Sequence, residues 1–333
     1  MNPSKPLALS AVRWGMIGCG DVTEVKSGPA FNKINNSTLV AVMRRDGHKA
    51  MDYAKRHGVS TWYSDADALI NNPSINAIYV ATPPKFHELY ATQAMLAGKN
   101  VYIEKPVTTD TAGCKRLIEV AKQTNQKITV AHYRRALPMF EKIKQLLITE
   151  TIGKIKTVNI RFHQPHQSSL IATTETNWRL NADIAGGGLF YDIAPHQIDM
   201  LLFLLGDAQQ YFGMSINQAK VYNVDDTVTG IIQFENDVLF SGNWCFTMPA
   251  NKQEDYCTII GENGTIECSF YSNTFRVQTK NENTLYEFQQ PIHIQQPMIE
   301  QVVDYFMEKQ PNPCSLEEAY KSLHIMEKFT AKG

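Results

Sequence analysis

Val12-Arg-Trp-Gly-Met-Ile-Gly18-Cys19-Gly20-Asp21-Val22 is a strand that runs into a glycine-rich turn. Gly18 permits the turn to be tight, and Gly20 lets the backbone approach a pyrophosphate with no Cβ in the way. A helix beginning at Asp21 and Val22 would aim its amide donors and positive dipole end at phosphates, with Cys19 part of the same cradle. The pattern is imperfect: Thr23 stands where a third glycine or alanine is usual. The competing reading of the stretch is an ordinary βα turn.

Strand-length apolar runs follow at 39–43, 77–81, 100–103 and 127–131, separated by helix-period stretches at 49–57, 66–71, 84–97 and 111–124. That alternation predicts right-handed βαβ units, and so an α/β chain whose N-terminal domain (1–133) is a Rossmann-type, doubly wound parallel sheet. After about residue 150 the period becomes two, at 156–162, 220–224, 228–234, 239–246, 255–260, 265–270 and 275–279. Asn263-Gly264 between apolar residues is a hairpin signal. A second, α+β domain (134–333) with a large, mostly antiparallel sheet is expected. Two helices close the chain, the second opened by a Ser315…Glu318 capping box, and this last helix could pack back on the first domain.

The 333 residues suffice for two ordinary cores. A net charge of −1 with no long run of one sign gives no footprint for nucleic acid or a membrane surface. The six cysteines (Cys19, Cys114, Cys245, Cys257, Cys268, Cys314) include no CxxC pair, which points to reduced thiols and no disulfide framework. The first dozen residues make a poor secretory signal, and residues 200–205, the longest strongly apolar stretch elsewhere, are far too few to span a bilayer. A cytoplasmic protein is expected.

Cofactor choice turns on the end of the second strand, where an acidic side chain would hold the ribose of NAD. Here stand Arg44-Arg45-Asp46. Planar guanidinium groups suit the 2′-phosphate of NADP, so NADP is preferred over NAD. The alternative is a solvated basic pair with Asp46 reaching the ribose. The next two strands end in Thr82-Pro83-Pro84-x-x-His87 and Glu104-Lys105-Pro106, again at the carboxyl ends where ligands bind in open α/β sheets.

With Gly186-Gly-Gly188-x-x-x-Asp192-x-x-x-His196, these motifs make the chain, from about residue 12 to 330, resemble the Gfo/Idh/MocA oxidoreductases. The resemblance implies a polyhydroxylated substrate: a sugar, a sugar derivative or a cyclitol. It also implies an open-faced sheet serving as the interface of a homodimer or homotetramer. Finally, it implies joint use of Lys105, Asp192 and His196, with cofactor contacts from Gly18 to Val22, Arg44, Arg45, Thr82, Pro83, His87, Glu104 and Lys105.

The residues themselves suit hydride transfer. Asp192 and His196, four apart, share a helix face, and the glycine run before them would let that helix start close to a ligand. Hydride addition to a carbonyl leaves an alkoxide that must gain a proton, and an imidazole titrates in the right range to give or take it. His196 is the expected acid/base, with Asp192 orienting it or binding a substrate hydroxyl; Asp199 is an alternative partner. Lys105 can polarise the carbonyl. Trp178 and Arg179 suit a sugar's C–H face and hydroxyls, or else form a core tryptophan with a snorkelling arginine; Arg134 and Tyr133 are further substrate candidates. A metal is not expected, since His163 and His166 have no third ligand at suitable spacing. Cys19 is expected to fill a small apolar slot. Two other functions stay open: a redox-neutral glycosidase or epimerase that retains its cofactor, and a non-catalytic dinucleotide sensor.

Overall fold

The computed structural model describes residues 9–166, 168 and 177–331. Most of the segment weighed above as an export signal, residues 1–8, lies outside them. The chain divides into two compact units: Met1–Thr108, Ala112–Ala136 and Pro291–Ala319 form one, and Thr109–Thr111, Leu137–Gln290 and Tyr320–Gly333 the other.

In the first unit six strands are all parallel: β1 Val12–Ile17, β2 Ser37–Met43, β3 Thr61–Tyr63, β4 Ala77–Val80, β5 Asn100–Ile103 and β6 Ile128–Val130. Their order is β3-β2-β1-β4-β5-β6, so the order reverses between β1 and β4 and opens a crevice there. The central strands are buried on both faces, which is why they read as apolar runs. β3 gives no such signal, since none of its three residues is fully buried. Trp14 anchors the core, with Phe31 at 4.9 Å and Phe306 at 5.5 Å between ring centroids. Phe306 ends the helix Gln296–Phe306, whose buried stripe of Met298, Ile299, Val302 and Val303 belongs to this unit.

The second unit carries an eight-stranded sheet of β7 Ile155–His163, β8 Ala208–Ile216, β9 Thr227–Phe234, β10 Leu239–Cys245, β11 Glu254–Gly261, β12 Gly264–Cys268, β13 Thr274–Thr279 and β14 Asn283–Glu287. The order is β14-β13-β12-β11-β7-β10-β9-β8, antiparallel throughout except for β10 against β7. The hairpin expected at Asn263-Gly264 joins β11 to β12, with Ile260 opposite Thr265. The helix Gly188–Leu205 packs on one face: Gln197 accepts a 2.6 Å hydrogen bond from the buried Trp244 indole, and Phe190 meets Trp244 edge-on.

One local expectation is corrected, and two strands were not foreseen. Residues 220–224 are not a strand: the fully buried Asp226 carboxylate accepts from Gln218 N and Ala219 N and folds 217–226 into a loop. β8 and β14, at the two edges, gave no strand signal because their exposed faces are not uniformly polar: Phe212, Met214 and Leu285 all point outward.

Candidate active site

Gly18 has φ +97°, and a Cβ there would lie 2.8 Å from the backbone of Ala81 and Thr82. The glycine is what lets the turn after β1 meet the turn after β4. At Gly20 an added Cβ would find nothing nearer than Gly18 O at 3.9 Å, so this second glycine borders open space. The helix beyond, Asp21–Val25, is five residues long. Thr23 is tolerated because its buried hydroxyl donates to Gly20 O at 2.7 Å. Gly28 makes a close approach nearby: its Cβ would fall 2.1 Å from Tyr53 OH and 2.3 Å from Thr23 O. Cys19 is buried, and burial pushes its thiol up to about 11.

At the end of β2, Arg44 Nη1 donates to Cys19 O at 3.3 Å, and the Arg45 guanidinium lies 5.1 Å from the centre of the Phe86 ring. Asp46 caps the helix Gly47–His57, accepting from His48 N and Lys49 N. These amide bonds hold its carboxyl below the usual range.

The turns after β4 and β5 are joined by His87. It is fully buried, with Nε2 2.7 Å from Thr82 O and Nδ1 2.9 Å from Pro106 O. Thr82 Oγ1 is buried with no hydrogen-bond partner among the described residues. An orphan hydroxyl and the open space at Gly20, both at the crevice where strand order reverses, fit a dinucleotide's pyrophosphate. Glu104 is 6% exposed, and its carboxylate accepts from Tyr79 OH at 2.6 Å, Gln295 Nε2 at 2.7 Å and Lys105 N at 3.3 Å. Gln295 was not found by sequence reasoning: in Ile292-His-Ile-Gln295 the polar positions are the buried ones, and its partner is 191 positions away. Arg134, on the turn Tyr133–Ala136, is 4% exposed, its guanidinium 5.6 Å from the centre of the Tyr133 ring.

In the second unit Asp192 and His196 lie one turn apart on the helix Gly188–Leu205, with Pro195 between them. Arg179 Nε donates to Asp192 Oδ2 at 2.9 Å, and its guanidinium stacks 4.4 Å from the Trp178 ring. The structure thus joins Trp178, Arg179 and Asp192 in one chain of contacts; His196 and Asp199 are buried on the same helix. The glycine run is filled by the protein itself. Added Cβ atoms at Gly186, Gly187 and Gly188 would meet Thr109 O, the Tyr191 ring and Val224 at 2.8, 2.3 and 2.6 Å. Its smallness therefore serves packing at the start of the helix. His163 is bonded to Asn243 Oδ1 at 2.6 Å, and His166 stacks on Tyr222.

Residues 12–132 match the model of an oxidoreductase family with an NAD-binding Rossmann fold, and residues 140–267 match the GFO/IDH/MocA C-terminal domain. Oxidoreductase P35 of Formosa agariphila is 48% identical over 320 residues, covering 96% of this chain and 98% of the relative. A 1,5-anhydro-D-fructose reductase of Ensifer adhaerens is 24% identical over 71% of this chain and 69% of its own. A levoglucosan dehydrogenase solved with NADH and levoglucosan superposes with a TM-score of 0.82 at 21% identity, covering 96% of both chains. No helix among the described residues is long and apolar enough to cross a membrane. On these matches the chain belongs to the Gfo/Idh/MocA family of NAD(P)-binding oxidoreductases.

Proposed function

We propose that the protein prefers NADP and transfers a hydride between nicotinamide and a carbonyl or hydroxyl carbon of a sugar, sugar derivative or cyclitol. The observation that carries the cofactor choice is at the end of β2: Arg44 Nη1 reaches the glycine turn at Cys19 O, with Arg45 beside it, while both helix amides hold Asp46 by its Oδ1. Relatives named for anhydrofructose and levoglucosan support the substrate class. All six cysteines are buried thiols, which supports a reducing, cytoplasmic setting.

The bound cofactor supplies or accepts the hydride. Lys105 steadies negative charge on the reacting oxygen by charge and hydrogen bonding. His196 gives that oxygen its proton in reduction and removes it in oxidation. Asp192 and Arg179, already hydrogen-bonded, present an acceptor and donors to neighbouring hydroxyls, and the Trp178 face suits the ring's C–H groups.

Calorimetric titration with NADP(H) and NAD(H), followed by a panel of ketoses, aldoses, anhydro-sugars and cyclitols read at the nicotinamide absorbance, tests the reading. Tight NADP(H) binding with turnover on one class is expected. Arg44→Asp should weaken NADP binding about tenfold or more, the loss of a charge-assisted contact to phosphate. An unchanged NADP/NAD ratio in that variant would sink the cofactor choice. Cofactor that co-purifies and never turns over would point instead to a redox-neutral enzyme.

A further inference from the structure

We infer that Gln295 is a positioning residue for Lys105, acting through the carboxylate of Glu104. This rests on the reading above that Lys105 works beside the nicotinamide. Glu104 Oε1 receives both Tyr79 OH and Gln295 Nε2, at 2.6 and 2.7 Å, while Oε2 receives the backbone N–H of Lys105 at 3.3 Å. Two donors thus pin one carboxylate oxygen and leave the other turned to the lysine's own backbone. The amide cannot flip without loss, because its oxygen accepts from Tyr102 OH at 3.2 Å and its nitrogen faces a carboxylate. Both phenols are fully buried and pushed well above their ordinary range, first by desolvation and then by Glu104, so they remain donors.

Gln295 is itself fixed from the opposite side. Its backbone N–H donates to Lys26 O at 3.0 Å, and two positions earlier His293 Nδ1 lies 2.6 Å from Val25 O. Val25 and Lys26 close the short helix that begins at the glycine turn. One residue, 1% exposed, therefore ties the segment following the Gly18–Gly20 turn to the turn that carries Lys105. A surface amide would have no such consequence. A buried amide opposite a buried carboxylate does, because removing it leaves Glu104 Oε1 short of a donor.

The test uses the full-length protein and NADPH, with NADH run in parallel. Lys105 is labelled with acetic anhydride and read by peptide mass spectrometry, with and without cofactor; nicotinamide fluorescence gives the dissociation constant. In the wild type, cofactor should protect Lys105 at about pH 8.5, where enough of an ordinary lysine amine is neutral to be acylated; at about pH 5.5 the dissociation constant is the readout. Gln295→Leu should cut protection about tenfold. Gln295→Glu sets a second carboxylate against Glu104. The pair can share a proton in acid but not in base, so the dissociation constant should match the wild type's at the lower pH and exceed it at the higher, with protection of Lys105 lost there. A merely structural role would not produce that reversal within one folded variant. Wild-type dissociation constants at both pH values in both variants, or a loss of affinity in Gln295→Glu that is the same at both, overturn this inference alone. Cofactor that fails to protect Lys105 in the wild type overturns the underlying reading and this inference with it.

Discussion

His87 carries no charge at neutral pH, and the reason is a contest its surroundings decide. Two carbonyl oxygens, of Thr82 and Pro106, sit at hydrogen-bond distance from its two ring nitrogens and would both welcome an imidazolium. Complete burial opposes the charge more strongly and brings the ring down to about 4 from an ordinary 6.5. Between those values the unfolded chain binds a proton that the folded chain refuses. Stability therefore falls as pH drops from 6.5 to 4, by about 3 kcal/mol in full. His87→Gln should flatten the thermal midpoint against pH in that window; an unchanged slope would mean the ring is not the group responsible. Glu24 acts lower: hydrogen bonding from Arg56 holds it at about 2, so its contribution is present above its ordinary 4.5 and is lost as pH falls from there toward 2. Residues of this kind were legible where motif and role are local. Gly18, Gly20, Glu104 and Lys105 stand within one turn of a strand end. Gln295 was invisible because its meaning comes from partners far away in sequence and from burial that no alternation announces.

At the scale of elements, the second unit's sheet shows why local pattern reading succeeds and where it stops. Gly213, Gly230 and Gly242 stand opposite one another across β8, β9 and β10. Such glycines weaken a strand read in isolation, yet Gly213 and Gly230 make room for a helix, and Gly242 for the Trp244 and Phe240 rings of its own strand. A Cβ at Gly230 would lie 2.2 Å from the ring of Phe329, which is fully buried on the last helix. Gly230→Ala should cost about 1–3 kcal/mol through overpacking, visible as a lowered thermal midpoint with cofactor affinity retained at lower temperature. No loss would show that the Phe329 ring can move aside. The start of that helix was readable from four residues, and the structure bears it out: Ser315 N donates to Glu318 Oε2 at 2.8 Å and Glu318 N to Ser315 Oγ at 3.2 Å. Edge strands were not readable, since alternation reports burial and β8 turns Phe212 and Met214 to solvent.

Those outward apolar residues matter at the scale of the whole molecule. One row across the sheet runs Leu285, Arg276, Glu267, Thr258, Asn159, Ser241, Ile231, Phe212. Its β8 and β9 end is apolar, with Phe212 64% and Ile231 51% exposed, and Met214, in the next row of the same face, 71%. Its centre is polar but internally satisfied. Ser241 Oγ donates to Asn159 Oδ1 at 2.7 Å, Asn243 Nδ2 to Thr229 Oγ1 at 2.8 Å, and Arg161 Nη2 to Glu254 Oε1 at 2.8 Å. A face whose polar groups already hold one another can be desolvated without orphaning them, and the apolar end supplies the driving force. That combination supports assembly through this face as a homodimer or homotetramer. Light scattering on the wild type should then give two or four times the 37.6 kDa chain mass. Phe212→Glu with Met214→Glu should bring it down to one, because each buried carboxylate would face apolar surface with no partner. NADPH binding should persist in that variant, since its contacts are proposed for the first unit's crevice. A wild type that runs at one chain mass would refute assembly, and a charged double variant that stays assembled would place the contact on another surface.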